Sequence, residues 1–433
     1  MRDVFKRLIV DFQEKEIGSI VPRDVKIPLD SNKIVSLIGV RRCGKTFILY
    51  DTIAQLKKTI DPKNIVHINF EDDRLYPIQL KNLDDLVEGY YELYPAKRKE
   101  KVYFFLDEIQ NVDGWERFVR RIYDSLNISI FVTGSSSKLL GSEIATSLRG
   151  RTITYEIFPF SFREYLRFRR IDVNLHSSNS ISYILNAFQD FIFEGGFPET
   201  IEKEGDIQSK ILSDYIDLII YKDVIERYGV KNTSLLKHLI KYSFTNMATL
   251  VSFTKLFKDL KSQGLKLSKD TLFEYFSYLG DAYALFSVPV FRRSVRDEQR
   301  NPKKIYAIDN GFKAVFDASL TDDFGKLYEN IVFLHLRRQT KEVYYFKKNQ
   351  EVDFYCMLNN RPMVVNVSYD IRDTKTRQRE IAGLYEAMDY FHSGTGYLIT
   401  KEDDQVIKEN GKSIYIMPLW KYLLVAKNDV VIQ

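Results

Sequence analysis

Apolar positions in this chain fall into short, strand-length runs in two regions, separated by a long region of helical spacing. The first run, 33–38 (Lys-Ile-Val-Ser-Leu-Ile), ends at Gly39, and further runs follow at 65–70, 102–106, 128–132 and 152–157. All are rich in β-branched or aromatic residues. Between the first four, stretches 45–58, 83–94 and 115–126 carry apolar residues at the 3.6-residue spacing of helices. Strands that alternate with helices predict a parallel sheet covered on both faces. From about 160 to 300 the pattern is helix after helix, interrupted by a turn at Gly195-Gly196-Phe197-Pro198. Two β-like runs within 286–308 flank a basic loop, and strands return at 342–346, 351–357, 362–368, 396–400 and 413–417, with a helix at 373–390.

Composition narrows the class. A chain of 433 residues exceeds one ordinary core, so two or more domains are expected. With 45% hydrophobic and 28% charged residues it reads as a globular protein. No apolar run reaches the roughly 18–20 residues needed to cross a membrane. The first twenty residues place Asp3 and Asp11 within their apolar part, so they read as an amphipathic helix and not as a signal peptide. The two cysteines, Cys43 and Cys356, supply neither a disulfide framework nor a metal cluster. A cytoplasmic protein without membrane contact is the expectation. Net charge is +5, but residues 231–304 hold 14 Lys/Arg against 6 Asp/Glu, so this segment is basic on a nearly neutral chain. An anionic partner for that segment follows, or else a solvated basic surface.

The chemistry begins at Gly39-Val40-Arg41-Arg42-Cys43-Gly44-Lys45-Thr46, which fits G-x-x-x-x-G-K-[ST] between a predicted strand and a predicted helix. Gly39 and Gly44 let the backbone curl so that N–H groups face phosphates, and the helix adds its positive end. Lys45 is expected to reach the β- and γ-phosphates, and the Thr46 hydroxyl to hold Mg²⁺. The second half is 102–106 followed by Asp107 and Glu108. Asp107 is assigned to the Mg²⁺ shell and Glu108 to the attacking water. The run at 65–70 supplies a strand between the two motifs in sequence. Ser135, with Thr133 second, is the expected γ-phosphate sensor after the fourth strand. Arg149 or Arg151 is expected to stabilise transition-state charge, in cis or from a neighbouring copy, the latter implying a homo-oligomer. Cys43, at a helix N-terminus beside Lys45, has the setting of a thiol of lowered pKa.

These motifs resemble those of the archaeal and bacterial AAA-type ATPases that carry a C-terminal domain of restriction-nuclease-like fold. The resemblance rests on Gly39–Thr46 with Arg41-Arg42, Leu106–Gln110, Thr133–Ser136, Leu148–Arg151, Phe158–Phe162 with Glu164-Tyr165, Gly195–Glu199, Leu327–Asn330 and Glu351–Phe354. It implies an α/β AAA-like core at 1–160, a helical lid at 161–230, a winged-helix module at 231–308 and a nuclease-like domain at 309–433. The nuclease chemistry would need an acid on a helix, then an acid and an acid-x-Lys on adjacent strands. Glu329 and Asp353 match the first two. Asn366 stands where the second strand acid belongs and Ser368 where the lysine belongs, and no other lysine stands nearby on that strand. The domain is therefore expected to be nuclease-shaped and inactive.

In the basic segment, 250–260 and 268–279 are two helices joined by Lys261-Ser262-Gln263-Gly264, the turn chemistry of a helix-turn-helix. Lys266 and Lys269 start the second helix, and Arg292, Arg293, Arg296 and Arg300 lie in the loop where a wing would touch a DNA backbone. The reading is an ATP- and Mg²⁺-dependent, DNA-associated ATPase. Its competitors are a signalling or scaffolding ATPase that binds only protein, and a live Mg²⁺-dependent nuclease.

Overall fold

The computed structural model describes residues 1–135, 148–292, 294, 297, 301–316 and 323–425. The chain divides into two compact units, Met1–Phe158 and Pro159–Gln433.

The first unit runs α1 (Arg2–Glu14), β1 (Ile34–Gly39), α2 (Lys45–Leu56), β2 (Ile65–Asn69), α3 (Leu83–Leu93), β3 (Val102–Asp107), α4 (Trp115–Ser125), β4 (Ile128–Ser135) and β5 (Thr152–Glu156). The five strands form one parallel sheet in the order β2-β3-β4-β1-β5. β1 and β3 are buried along their whole length, which is why they read as unbroken apolar runs. The helices present one stripe each. In α4 this is Trp115, Phe118, Val119 and Ile122, and in α1 it is Phe5, Leu8, Ile9 and Phe12. β2 lies between the two motif strands in sequence, as expected, and in the sheet it is the edge strand beside β3, while β4 lies between β3 and β1.

The second unit opens with helices α5 (Phe162–Phe168), α6 (Ser178–Glu194) and α7 (Gly205–Leu218), a π-helical stretch Ile219–Ile225, and α8 (Thr233–Thr245). Then come β6 (Thr249–Val251), α9 (Phe253–Ser262), α10 (Lys269–Asp281), β7 (Leu285–Val288) and β8 (Lys303–Ala307), whose strands pair antiparallel in the order β6-β8-β7. After α11 (Gly311–Phe316) and α12 (Phe324–Arg337), the chain forms β9 (Val343–Lys347), β10 (Glu351–Leu358), β11 (Arg361–Val367), α13 (Thr374–Phe391), β12 (Thr395–Thr400), β13 (Gln405–Glu409) and β14 (Lys412–Pro418). Their sheet is ordered β13-β14-β12-β11-β10-β9 and packs α13 over a core that includes Val352, Val364, Leu384, Met388 and Leu398.

Hydrogen bonds span positions 230 and 308, where borders were expected. Phe291 N–H donates to the Tyr345 carbonyl (2.7 Å) and Tyr345 N–H to the Pro289 carbonyl (3.0 Å), so the chain after β7 pairs with β9. The Gly195-Gly196 turn is bound to a segment more than a hundred residues away. Gly196 N–H (2.7 Å) and Gly311 N–H (2.9 Å) both donate to the buried Asp309 carboxylate. A Cβ on Gly195, at φ 78°, would lie 1.7 Å from Asp309 Oδ1, so only glycine fits. Among the described residues no helix is long and apolar enough to cross a membrane.

Candidate functional site

The end of β1 and the start of α2 build a cradle. Gly39 (φ 149°), Arg42 (φ 65°) and Gly44 (φ 98°) take backbone conformations that turn the loop tightly before the helix begins. A Cβ on Gly39 would lie 2.1 Å from the Ile157 carbonyl oxygen, which excludes any side chain there. Lys45 is 4% exposed, and its ammonium donates to the carbonyls of Gly39 (3.1 Å) and Val40 (3.2 Å). It also stands 3.8 Å from Glu108. Arg41 reaches Glu71 at 3.5 Å.

Across the sheet, Thr46 Oγ1 donates to Asp107 Oδ2 at 2.8 Å, so the two residues assigned to Mg²⁺ already touch. Thr133 Oγ1 donates to the other Asp107 oxygen and accepts from Glu108 N–H at 3.0 Å. Burial pushes the Asp107 carboxyl up to about 6, against the hydrogen bond from Thr133. A buried carboxylate in that condition favours a nearby cation. Glu108 has φ 52°, a left-handed conformation that costs a non-glycine residue on the order of 1 kcal/mol and is tolerated where function fixes it. Gln110 donates to its carboxylate.

Thr133 thus occupies the place between the two acids, whereas the Ser135 side chain lies outside the described residues. Cys43 is fully buried and burial pushes its thiol up, contrary to the expected lowering, because the loss of water outweighs the pull of Lys45. Arg149 and Arg151 lie toward the end of β1 opposite the phosphate loop. β1 and β5 are parallel, with Ile34 beside Thr152 and Ile38 beside Glu156. The phosphate loop follows one end, and Arg149-Gly150-Arg151 precedes the other, roughly 17 Å away at the rise of a strand. Arg149 is exposed, and Arg151 pairs with Asp124 at 2.8 and 3.1 Å.

In the second unit, Glu329 on α12 and Asp353 on β10 do come together, but a lysine from β8 lies between them. Lys304, 4% exposed, donates to Asp353 (2.7 Å) and Glu329 (3.0 Å) and pairs with Glu351 at 3.2 Å. Burial alone would lower its pKa, but Asp353, Glu329 and Glu351 outweigh burial and hold it well above the usual lysine range. Tyr306 OH donates to Glu329 at 2.6 Å, and burial drives the Glu329 carboxyl upward. Asn366 accepts from Asp353 N–H (3.0 Å) and donates to Glu380, an acid on α13. Ser368 Oγ turns away to the Asp370 carbonyl at 3.2 Å. The β11 strand itself carries no lysine. The cation comes instead from the basic segment 231–304, where nothing in the local pattern marks Lys304 out. Among the described residues no group of three or more His, Cys, Asp or Glu is arranged to hold a metal ion.

Of the candidate nucleic-acid residues, Lys266 and Lys269 are exposed at the start of α10. Arg292 is not open. Its guanidinium donates to the Phe291 (3.1 Å) and Lys347 (3.2 Å) carbonyls, because this leg of the expected wing runs along β9. Arg293, Arg296 and Arg300 lie outside the described residues.

Comparison with known proteins gives a match to an AAA domain over residues 31–166 and to two domains of unknown function, DUF8612 over 185–322 and DUF4143 over 324–422. The chain is 35% identical to the uncharacterized protein MJ1544 of Methanocaldococcus jannaschii over 435 aligned residues, covering 97% of this chain and 95% of the relative. It is 30% identical to an uncharacterized protein of Haemophilus influenzae, covering 79% of this chain and 84% of that one. Among solved structures, the Walker-type ATPase PABY2304 of Pyrococcus abyssi is similar with a TM-score of 0.43 and 15% identity, covering 70% of this chain and 99% of that chain.

Proposed function

We propose, from the premise that this chain belongs to the AAA-domain family of P-loop ATPases, that residues 1–158 bind ATP with Mg²⁺ and hydrolyse it to ADP and phosphate. The observation that carries this is the 2.8 Å contact between Thr46 and Asp107 at the mouth of the Gly39–Lys45 cradle. Thr46 and Asp107 would hold Mg²⁺, which when bound supplies charge that offsets the phosphate oxygens. Lys45 exchanges its loop carbonyls for phosphate oxygens. Thr133 holds Asp107 and Glu108 in register. Glu108 orients the attacking water and accepts its proton. Arg149 or Arg151 would act from a neighbouring copy, which makes a homo-oligomer part of the reading.

We further propose that the second unit holds DNA. Its helix–strand–helix–helix–strand–loop–strand order, with β6-β8-β7 antiparallel, fits a winged helix. Lys231, Lys237, Lys241, Lys255, Lys258, Lys261, Lys266 and Lys269 are all exposed on it, a distribution suited to phosphate contacts. One observation favours a protein partner instead. The exposed face of α10 also shows Asp270, Glu274 and Phe273, the last 43% exposed. The C-terminal sheet is proposed to be nuclease-shaped and inactive, since Lys304 already serves its carboxylates.

ATP hydrolysis by the full chain, measured with and without double-stranded DNA and over a salt series, tests the reading. Turnover that is abolished in Lys45→Ala and stimulated by DNA at low salt is expected. Turnover indifferent to DNA, with no salt-dependent DNA binding, would favour the protein-partner reading. Mixing Arg151→Ala with Lys45→Ala protein should restore part of the rate, and turnover independent of concentration in a proven monomer would remove the role in trans.

A further inference from the structure

Arg23 lies in the irregular stretch between α1 and β1, where the chain carries no recognisable motif. Its guanidinium donates to backbone carbonyls of two separate segments. Nη1 donates to the carbonyl of Cys43, inside the phosphate loop, at 2.9 Å, and Nη2 donates to the carbonyl of Phe158, the last residue of the first unit, at 2.7 Å. The planar fork fixes these two acceptors relative to each other as a lysine cannot. A Cβ on Gly44 would come within 3.2 Å of Nη1, so the loop glycine also makes room for the guanidinium.

The peptide bond explains what this contact does to the loop. In a trans peptide the C=O and N–H point in opposite directions. Holding the Cys43 carbonyl outward on Arg23 therefore points the Gly44 N–H the other way, as a phosphate-binding loop requires of it. The other end of the loop bears on the same neighbour. Ile157 N–H donates to the Ile38 carbonyl at 2.7 Å, and Gly39 packs against the Ile157 backbone too closely for any Cβ. Both ends of the phosphate loop thus rest on residues 157–158, one directly and one through Arg23.

We propose that Arg23 is a positioning residue that presets the Cys43–Gly44 peptide for phosphate and transmits occupancy of the loop to the Phe158 segment. This rests on the nucleotide-binding reading above. When phosphate draws on the Gly44 N–H, the Cys43 carbonyl turns with it, and the guanidinium carries that rotation to the Phe158 carbonyl.

The test uses the full chain, Mg·ADP and a non-hydrolysable ATP analogue, with Arg23→Ala and Arg23→Lys. Wild-type protein is expected to bind nucleotide and to slow amide exchange both at 39–46 and at 155–162. Arg23→Ala should bind about tenfold more weakly, the scale of one lost charge-assisted hydrogen bond. At saturating nucleotide it should still protect 39–46 but no longer 155–162. Arg23→Lys, which keeps the charge and reaches one carbonyl at a time, should recover affinity more than it recovers the response at 155–162. It also keeps the test valid if the alanine variant does not fold. A nucleotide response at 155–162 that is undiminished in Arg23→Ala, or in Arg23→Lys where the alanine variant is unfolded, overturns the proposal. Absence of nucleotide binding by the wild type would be a different failure: it removes the nucleotide reading, and the transmission role with it.

Discussion

Lys45 and Lys304 are buried to the same 4% exposure, and each stands beside carboxylates in its own unit, yet their surroundings oppose each other. Lys45 rests on two carbonyls of its own loop, and its nearest acid, Glu108, is at 3.8 Å. Neutral carbonyls are a modest partner for a buried ammonium, so a phosphate can replace them at a gain. Lys304 contacts three carboxylates at 2.7–3.2 Å, and little is left for a newcomer to improve. The first arrangement is set to receive a charged ligand, and the second contains its own counter-ion. A cluster of acids around a lysine is therefore no guide to activity until the lysine's own partners are known.

The comparison is most exposed to removal of Lys304. Lys304→Met leaves Glu329, Glu351 and Asp353 without their ammonium, and loss of one partner from a buried ionic group costs about 3–5 kcal/mol. Thermal melting should show the loss. Adding Glu329→Gln should recover part of it, since one uncompensated charge is then gone. A Lys304→Met protein as stable as the wild type would mean that the cluster is not held by this lysine. Next in size is Glu108→Gln, expected to slow ATP turnover about 100-fold, the low end for loss of a general base. Nucleotide affinity, measured by titration, should stay nearly unchanged. Lys45→Ala should weaken nucleotide binding by roughly tenfold or more while leaving the melting temperature nearly unchanged, the reverse of the Lys304 result.

These expectations differ in how far the sequence foretold them. The phosphate loop was legible because its chemistry is local. Eight consecutive residues, Gly39 to Thr46, carry it, and an apolar strand ending in Asp107-Glu108 carries its partner. Thr133 was legible only in part, since a polar residue ending a fourth strand is a weak signal until strand order shows β4 lying between β1 and β3. Arg23 and Lys304 were not legible. Arg23 acts on a carbonyl 20 residues away from a stretch without periodicity. Lys304 sits beside Lys303 in a basic segment, where counting charge cannot tell the buried lysine from its half-exposed neighbour. The expected strands were found, but β13 was missed because its outward edge position leaves no apolar alternation, and β6 because it has only 3 residues. The helical region hid its joins with the C-terminal sheet, because pairing such as Phe291 with Tyr345 is made by backbone atoms that any side chain could carry.

The smallest effect is on pH. His67 on β2 stacks on Phe12 with ring centroids 4.2 Å apart, and burial pushes its pKa down to about 3 from an ordinary 6.5. Its folded form binds fewer protons than its unfolded form across that window. Its contribution to stability is therefore complete above pH 6.5 and is lost as pH falls toward 3, by at most about 1.4 kcal/mol per pH unit. His67→Phe keeps the ring stack and removes the titration. The difference in stability between wild type and variant should shift in favour of the variant as pH drops from 7 to 5.5. A difference that does not change with pH would mean that His67 is open to protons.

The contrast between the two lysines can be read in a single experiment, the number of tightly held Mn²⁺ ions per chain, counted by electron paramagnetic resonance with and without a non-hydrolysable ATP analogue. The account predicts none without nucleotide and one with it, the one lost in Thr46→Ala. An ion held without nucleotide and lost in Asp353→Asn would contradict it, because the carboxylates around Lys304 would then be a metal site after all.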